Sequence, residues 1–359
     1  MNHCFILGTR PEIIKLAPLI RVAQTRTLDF CIIHTNQHYT ASMDEIFFKE
    51  LDLPAPDVNL HIGSGDHSAQ TGRMLIAIGE ELAKRKPDVV YVEGDTNTVL
   101  AGALAAAKQP GILVAHVEAG LRSYDRTMPE ELNRIITDHI SDLLFAPTKV
   151  QERILHDEHL PHDKVFVTGN TIVDAVRQHL VIAGDPNAAL QRYGLKAHGY
   201  ALLTMHRPAN VDDPAVLKAM LGNLQRVAKD LPMLFPVHPR TKKAIDALGL
   251  PAFKGITMVE PVGYLDMLRL MQQAKLILTD SGGIQEEACI LKVPCITLRE
   301  NTERPETVDV GASVLVGSDA KKLERAVARF SSITPAWDNP FGDGHAAERM
   351  IDIATSHVG

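Results

Sequence analysis

The chain has few of the features that would take it out of the ordinary globular class. It carries four cysteines in 359 residues, Cys4, Cys31, Cys289 and Cys295. Each stands singly in an apolar run, without the paired spacing of a metal site or a disulfide scaffold, and reads as a small buried hydrophobe. There is no basic excess: the net charge is −7 and the isoelectric point near 6.1, which speaks against nucleic acid as a partner. No apolar run approaches the ~18 residues of a membrane span, and the first one stops at Gly8, well short of a signal-peptide core. A cytoplasmic protein without a membrane partner is expected. Short repeats and low-complexity tracts are absent. No Gly-x-Gly-x-x-Gly follows any candidate strand, so the sequence offers no nicotinamide fingerprint.

What is present is a long alternation of strands and helices. At 359 residues, with 45% hydrophobic and 23% charged residues, the chain exceeds the size at which one core divides, and two domains are expected. Candidate strands are 4–7, 29–34, 88–92, 113–117, 143–146 and 165–168, then 200–204, 233–237, 256–259, 276–278, 295–298 and 314–316, with helical patterns between them. Both halves read as α/β, doubly wound parallel sheets. The expected N-terminal domain is 1–170 plus 343–359, because a breaker-rich crossing at 338–342 returns the last helix to it; the expected C-terminal domain is 171–342.

Two strand ends carry the pattern of an anion site. Thr279-Asp280-Ser281-Gly282-Gly283 follows an apolar strand and opens a helix whose free N–H groups are partly positive, while two glycines let an anion approach. A diphosphate fits there, with Glu286 and Glu287 one turn on for ribose hydroxyls. A plain strand-to-helix turn with glycines for packing is the alternative. At the other end, Gly8-Thr9-Arg10-Pro11-Glu12 turns from a strand into a helix, and Arg10 with Lys15 projects two cations over the strand end. One ligand bridging two domains is the expectation, and a nucleotide is the simplest such ligand.

Acids and histidines also fall at strand ends. Asp95, in Gly94-Asp95-Thr96-Asn97-Thr98, stands at a carboxyl edge or caps the next helix. Glu118 ends the following strand, and Glu130 opens a helix with Arg134 four residues on, an i,i+4 pair in the structural reading. Three carboxylates at one edge suit acid and base work on two faces of a substrate. His206-Arg207-Pro208 and His238-Pro239-Arg240 end two strands of the second half, where His206 suits a phosphate or sugar contact. The spaced His156, His159 and His162 lie at an exposed helix end and are not expected to bind metal.

Together the segments GTRPEIIK, QHY, GDTNT, HVEAGLRS, MPEELNR, HRP, VHPRTKK, TDSGGIQEEA and TERPE resemble the non-hydrolysing UDP-N-acetylglucosamine 2-epimerases, most closely their archaeal branch. The motifs span nearly the whole chain. The resemblance implies a glycosyltransferase-B architecture of two Rossmann-like domains around a central cleft, and interconversion of UDP-N-acetylglucosamine and UDP-N-acetylmannosamine in polysaccharide biosynthesis. It implies no cofactor, UDP as the departing group, and a homodimer. It makes Asp95, Glu118, Glu130 and His206 the catalytic candidates. Arg10, Lys15, Arg134, Tyr264, Ser281, Gly282, Gly283 and Glu287 become substrate contacts, with the segment 260–264 on the uracil side. Gln37, Arg207 and His238 match parts of a regulatory pocket for a second UDP-N-acetylglucosamine. Ala209 departs from the pattern, since relatives carry Glu there. Bacterial relatives carry a basic residue where Ala69 stands, which puts activation in doubt.

The C2 hydrogen of such a sugar has no carbonyl beside it, so deprotonation alone gives an unstabilised carbanion. Loss of UDP from C1 removes the difficulty, leaving 2-acetamidoglucal, and re-addition with protonation from the other face gives the epimer. Two faces demand two proton carriers; which acid serves which face does not follow from spacing. Competing readings are a 2-epimerase of a diacetamido-glucuronate nucleotide, against which the GTRPE start argues because those relatives tend to begin GARPQ. A glycosyltransferase of the same architecture and a non-enzymatic nucleotide-sugar sensor are the others. Three acids beside a diphosphate speak against a sensor, since they weaken binding unless chemistry requires them.

Overall fold

A computed structural model describes residues 1–37 and 47–358; His38 and Tyr39 of the QHY segment lie outside the described residues. The chain divides into two compact units, Met1–Gln178 with Phe341–Gly359, and His179–Pro340. The first unit holds β1 (Asn2–Leu7), β2 (Asp29–His34), β3 (Val58–Asn59), β4 (Val89–Glu93), β5 (Leu113–Val117), β6 (Leu143–Ala146) and β7 (Val165–Val167). They form one seven-stranded sheet in the order β3-β2-β1-β4-β5-β6-β7, parallel throughout. The second unit holds β8 (Ala201–Thr204), β9 (Met233–Pro236), β10 (Ile256–Val259), β11 (Leu276–Thr279), β12 (Cys295–Thr297) and β13 (Ser313–Leu315). Their order is β10-β9-β8-β11-β12-β13, again all parallel. Both units are therefore Rossmann-like doubly wound sheets, as the alternation of patterns predicts. The edge strand β3 escapes sequence reading because two residues carry no periodicity.

The strands are continuous apolar runs because helices cover both faces of a parallel sheet. Cys4 through Leu7 and Leu276 through Leu278 are fully buried. Cys4 and Cys31 are register partners on β1 and β2, and all four cysteines are free and buried. Among the described residues no helix is long and apolar enough to cross a membrane.

The division of the chain falls inside the helix Thr171–Ile182 rather than at its start. The first turns of that helix hold the returning segment: the Asn170 N–H donates to the Phe341 carbonyl at 2.8 Å. The Asp174 carboxylate accepts the N–H groups of Ala346 and Ala347 at 3.3 and 3.0 Å. Those bonds draw the beginning of the helix into the first unit.

Strand order fixes where ligands bind. In each sheet the chain winds in opposite directions from two adjacent strands, β1 and β4 in one, β8 and β11 in the other. Open parallel sheets bind ligands outside the carboxyl ends at such switch points. The residues there are Gly8-Thr9-Arg10 and Gly94-Asp95 in the first unit, and Met205-His206-Arg207 and Asp280-Ser281-Gly282 in the second.

At the first switch point the backbone leaves no room for a side chain. A Cβ on Gly8 would lie 2.1 Å from Thr35 Oγ1 and 2.3 Å from Thr98 Oγ1, and those two fully buried hydroxyls bond each other at 2.8 Å. Gly8→Ala is expected to cost about 2–3 kcal/mol by overpacking, read as a lowered Tm; an unchanged Tm would show that the hydroxyl pair can retreat.

Candidate active site

In the first unit the helix Arg10–Thr25 starts over the end of β1, with Thr9 as its cap residue. Glu12, 1% exposed, turns back and accepts the N–H groups of Gly8 and Thr9 at 2.5 and 3.2 Å and the Thr96 hydroxyl at 2.5 Å. Burial pushes its carboxyl up to about 7, against the lowering effect of those hydrogen bonds. Lys15, one turn on, does not face open solvent. Its ammonium donates to both oxygens of Glu118 at 2.7 Å and lies 3.2 Å from Glu93 Oε1. The Asn170 amide donates to Glu118 Oε1 at 2.8 Å. Glu118 itself sits at φ +71°, a conformation costly for a residue with a Cβ and typical of strained functional positions. Arg10 is exposed, its guanidinium 5.8 Å from the Phe47 ring centroid.

Asp95 does not cap the next helix. Thr96 does, its hydroxyl accepting the N–H groups of Thr98 and Val99, which leaves the Asp95 carboxylate for Arg134. Arg134 is 7% exposed and donates also to Glu131 Oε2 at 2.7 Å, so the ordinary i,i+4 pairing with Glu130 is not the one formed. Glu131 in turn accepts from the Ser123 N–H and hydroxyl and from the Tyr124 N–H. Burial works to raise its carboxyl, but these bonds, with Arg134, hold it below the usual range. Asn133, on the same helix Pro129–Ile140, donates to the Asp95 carbonyl at 2.9 Å. Glu130 opens that helix half-buried, with no hydrogen-bond or ion-pair partner among the described residues. Since Glu93 and Val117 are register partners on β4 and β5, Asp95 and Glu118 leave adjacent strand ends, and Arg134 ties the helix of Glu130 to Asp95.

A buried strut fixes the spacing of these loops. His116 pairs with Asp138 at 2.6 Å through Nδ1 and with the Gly94 carbonyl at 2.8 Å through Nε2. Asp138 accepts the Gly120 N–H at 3.2 Å and pairs with Arg122 at 2.7 Å. One histidine and one aspartate thus connect the Asp95 turn to the Glu118 turn.

In the second unit Asp280, fully buried, is the centre of the switch point. It accepts the backbone N–H of His206 and Arg207 and the side-chain amide of Asn210, all within 2.9–3.1 Å. The His206 Nδ1 lies 3.2 Å from Oδ1, with that ring 41% exposed. Burial alone would raise the Asp280 carboxyl, but the bonds from His206, Arg207 and Asn210 hold it below its ordinary value. A carboxylate on Nδ1 fixes the ring and leaves Nε2 for another partner. The rings of His206 and His238 are 5.8 Å apart; burial first, then His206 and Arg240, push His238 below its usual range. His238 also caps the helix Pro239–Ala247, Nδ1 accepting the Arg240 N–H at 3.2 Å.

Ser281 caps the helix Gly282–Ile290 without a side-chain hydrogen bond of its own to the turn. Around Gly282 the nearest atom to an added Cβ is Glu303 Oε2 at 3.7 Å, and around Gly283 nothing lies within 4 Å. Packing therefore does not demand glycine at these positions, which favours the anion reading of the motif over the plain turn. Glu287 accepts from the Tyr264 hydroxyl at 3.1 Å. Glu286 corrects an expectation: it is 1% exposed and paired with Arg304 at 2.6 Å, so it is committed inside the unit rather than open to a ribose.

Sequence reasoning quoted but gave no role to Asp280, and overlooked Glu93, Glu131, Asp138 and Asn170. The available signal was an ionisable residue ending a wholly apolar strand, as Glu93 ends Val89-Val90-Tyr91-Val92 and Asp280 follows Leu276–Thr279. Gln37, assigned to a regulatory pocket, accepts the Thr98 hydroxyl at 3.0 Å and, through its carbonyl, the Gln70 amide. The rings of His156 and His162 lie with centroids 3.8 Å apart and planes tilted by 35°, and no group of three or more metal-binding side chains occurs among the described residues.

Comparison with known proteins gives the family. The family model for UDP-N-acetylglucosamine 2-epimerase matches residues 21–355. The UDP-N-acetylglucosamine 2-epimerase of Methanocaldococcus jannaschii is 54% identical over 99% of both chains. That of Methanococcus maripaludis is 51% identical over 97% of this chain and 96% of its own. The crystal structure of the M. jannaschii enzyme in complex with UDP-GlcNAc and UDP superposes with a TM-score of 0.89, covering 99% of this chain and 100% of that one. With a strand-end acid cluster in one unit, an open helix start in the other, and likeness along its whole length, the chain belongs to the UDP-N-acetylglucosamine 2-epimerase family.

Proposed function

We propose that the chain reversibly epimerises UDP-N-acetylglucosamine at C2 to UDP-N-acetylmannosamine. The observation that carries this is the cluster of Asp95, Glu118 and Glu130 at the end of β4, the end of β5 and the start of an adjoining helix. Each acid is held in its own surroundings: Asp95 by Arg134, Glu118 by Lys15 and Asn170, Glu130 without a partner among the described residues. Acids carried by three separate elements can stand on different faces of one substrate, the requirement for one group to remove and another to return a proton.

The Gly282-Gly283 helix start receives the diphosphate and Glu287 the ribose, with Tyr264 beside it. Arg10, Lys15 and His206 bring positive charge or hydrogen bonds to the diphosphate and the reacting sugar. As the C1–O bond breaks, C1 becomes cationic, the C2–H acidifies and a carboxylate takes the proton, leaving 2-acetamidoglucal and UDP. UDP returns to C1 as a second acid protonates the other face of C2. A donor well aimed at the departing diphosphate contributes ~3 kcal/mol. The working unit is a cytoplasmic homodimer in this reading.

Incubation with UDP-N-acetylglucosamine in heavy water, followed by proton NMR, tests the whole proposal. Deuterium is expected at C2 of both epimers, because the proton removed is replaced from another group in exchange with solvent. Epimer formation with complete retention of protium at C2 would rule out elimination, and no epimer at all would rule out the function.

A further inference from the structure

Glu93 is an acid of the first unit that the reaction does not use directly and that the fold buries beside Lys15 and Glu118. It ends β4 at 2% exposure. The titratable groups facing it are Lys15 and Glu12 from the first helix and Glu118 from the turn after β5. Two buried carboxyls, Glu93 and Glu118, thus share one ammonium, with a third, Glu12, acting on Glu93 from the first helix; Glu12 and Glu118 are at most 6% exposed as well. Lys15 makes its two short contacts, 2.7 Å each, to Glu118, and one longer contact of 3.2 Å to Glu93.

Three ionised carboxylates against one ammonium would leave two uncompensated charges out of water, which is far costlier than holding protons there. The geometry decides which carboxyl keeps its charge. Glu118 has the bifurcated ammonium and the Asn170 amide, both of which favour an anion. Glu12 has two backbone N–H groups and a hydroxyl. Glu93 has the single long contact.

We propose that Glu93 is a positioning residue, a neutral carboxyl behind Lys15 that holds the ammonium against Glu118 without competing for its charge. Burial first, then the neighbouring Glu118 and Glu12, act in the same direction, outweighing Lys15 and raising the Glu93 carboxyl well above the ordinary range. The sign follows. While Glu93 is neutral, Lys15 belongs to Glu118; as pH rises and Glu93 ionises, a second anion draws the ammonium away from Glu118. The alkaline limb of the rate profile therefore contains Glu93.

Infrared difference spectroscopy of wild type against Glu93→Gln at neutral pH tests the protonation state without any turnover. A protonated-carboxyl carbonyl band is expected in wild type and absent from the variant; an ionised-carboxylate difference instead overturns the assignment. An amide reproduces the shape of a neutral carboxyl, so a Glu93→Gln protein that fails to fold also overturns it. The kinetic arm rests on the proposed epimerase activity. Glu93→Ala, which removes the second anchor of Lys15, is expected to lower kcat by up to about 100-fold with KM little changed. Glu93→Gln is expected to restore most of that loss and to displace the alkaline limb. An alkaline limb identical in Glu93→Gln and wild type contradicts the assignment, whereas absence of epimerase activity in wild type speaks to the function and leaves the infrared result standing.

Discussion

Glu118→Gln is expected to lower kcat for epimerisation about 1,000-fold or more, within the range for loss of a general acid or base, while Tm stays near that of the wild type. The amide keeps the shape of the carboxylate, and its oxygen still accepts from Lys15. The charge lost beside Lys15 is replaced from Glu93, whose carboxyl, freed of the neighbouring Glu118 anion, gives up its proton more readily and becomes the counter-charge, so a buried ion pair is kept. What disappears is the capacity to exchange a proton. At C2, deuterium entry from heavy water should fall together with epimer formation if Glu118 handles the first proton. If Glu118 handles the second, deuterium-free 2-acetamidoglucal and UDP should accumulate instead. Wild-type turnover in the variant would remove Glu118 from both transfers, and a large fall in Tm would return it to a structural role.

The strands and the strand-end motifs were legible because parallel sheets impose continuous apolar runs that stop abruptly at Gly8, Gly94 and Asp280. Doubly wound topology then places those stops at the switch points, so sequence position translates into proximity within each unit. Pairing was not legible in the same way. Lys15 and Glu118 are 103 residues apart, Asp95 and Arg134 are 39, and His206 and Asp280 are 74. Sequence spacing exposes only contacts within a helix turn, which is why Glu130 was the natural partner to expect for Arg134. The actual partners, Glu131 and Asp95, depend on the Ser123–Tyr124 loop turning its N–H groups toward Glu131. Asp95 was open to two readings for the same reason: whether Asp95 or Thr96 caps the helix is decided by one residue of phase, and Thr96 takes the place. Glu93 was invisible because a strand-end glutamate among apolar residues looks like a surface charge until the neighbouring helix is packed over it.

Gly283→Ala separates the two readings of the Ser-Gly-Gly turn, because stability and ligand binding should move in opposite directions. Inside the protein an added Cβ meets nothing within 4 Å, and Gly283 lies in the first turn of a nine-residue helix. Replacing a helical glycine by alanine under those conditions stabilises by about 0.5–1 kcal/mol, since the unfolded chain loses freedom that the folded one never used. A raised Tm is expected. If the anion reading holds, the same methyl group crowds the helix N–H groups that the diphosphate must reach, so affinity for UDP should fall at least about tenfold, or about 1.4 kcal/mol. Isothermal titration with UDP and a thermal melt on the same preparation measure both terms. Unchanged UDP affinity would mean that the glycines serve no phosphate, and the diphosphate would then have to be held elsewhere. A fall in Tm alongside the loss of binding would point to an indirect effect of a disturbed helix start. Only a more stable protein that binds UDP less tightly places the departing group of the proposed reaction at this helix, where partial positive charge from the first turn meets the negative charge that develops as the C1–O bond breaks.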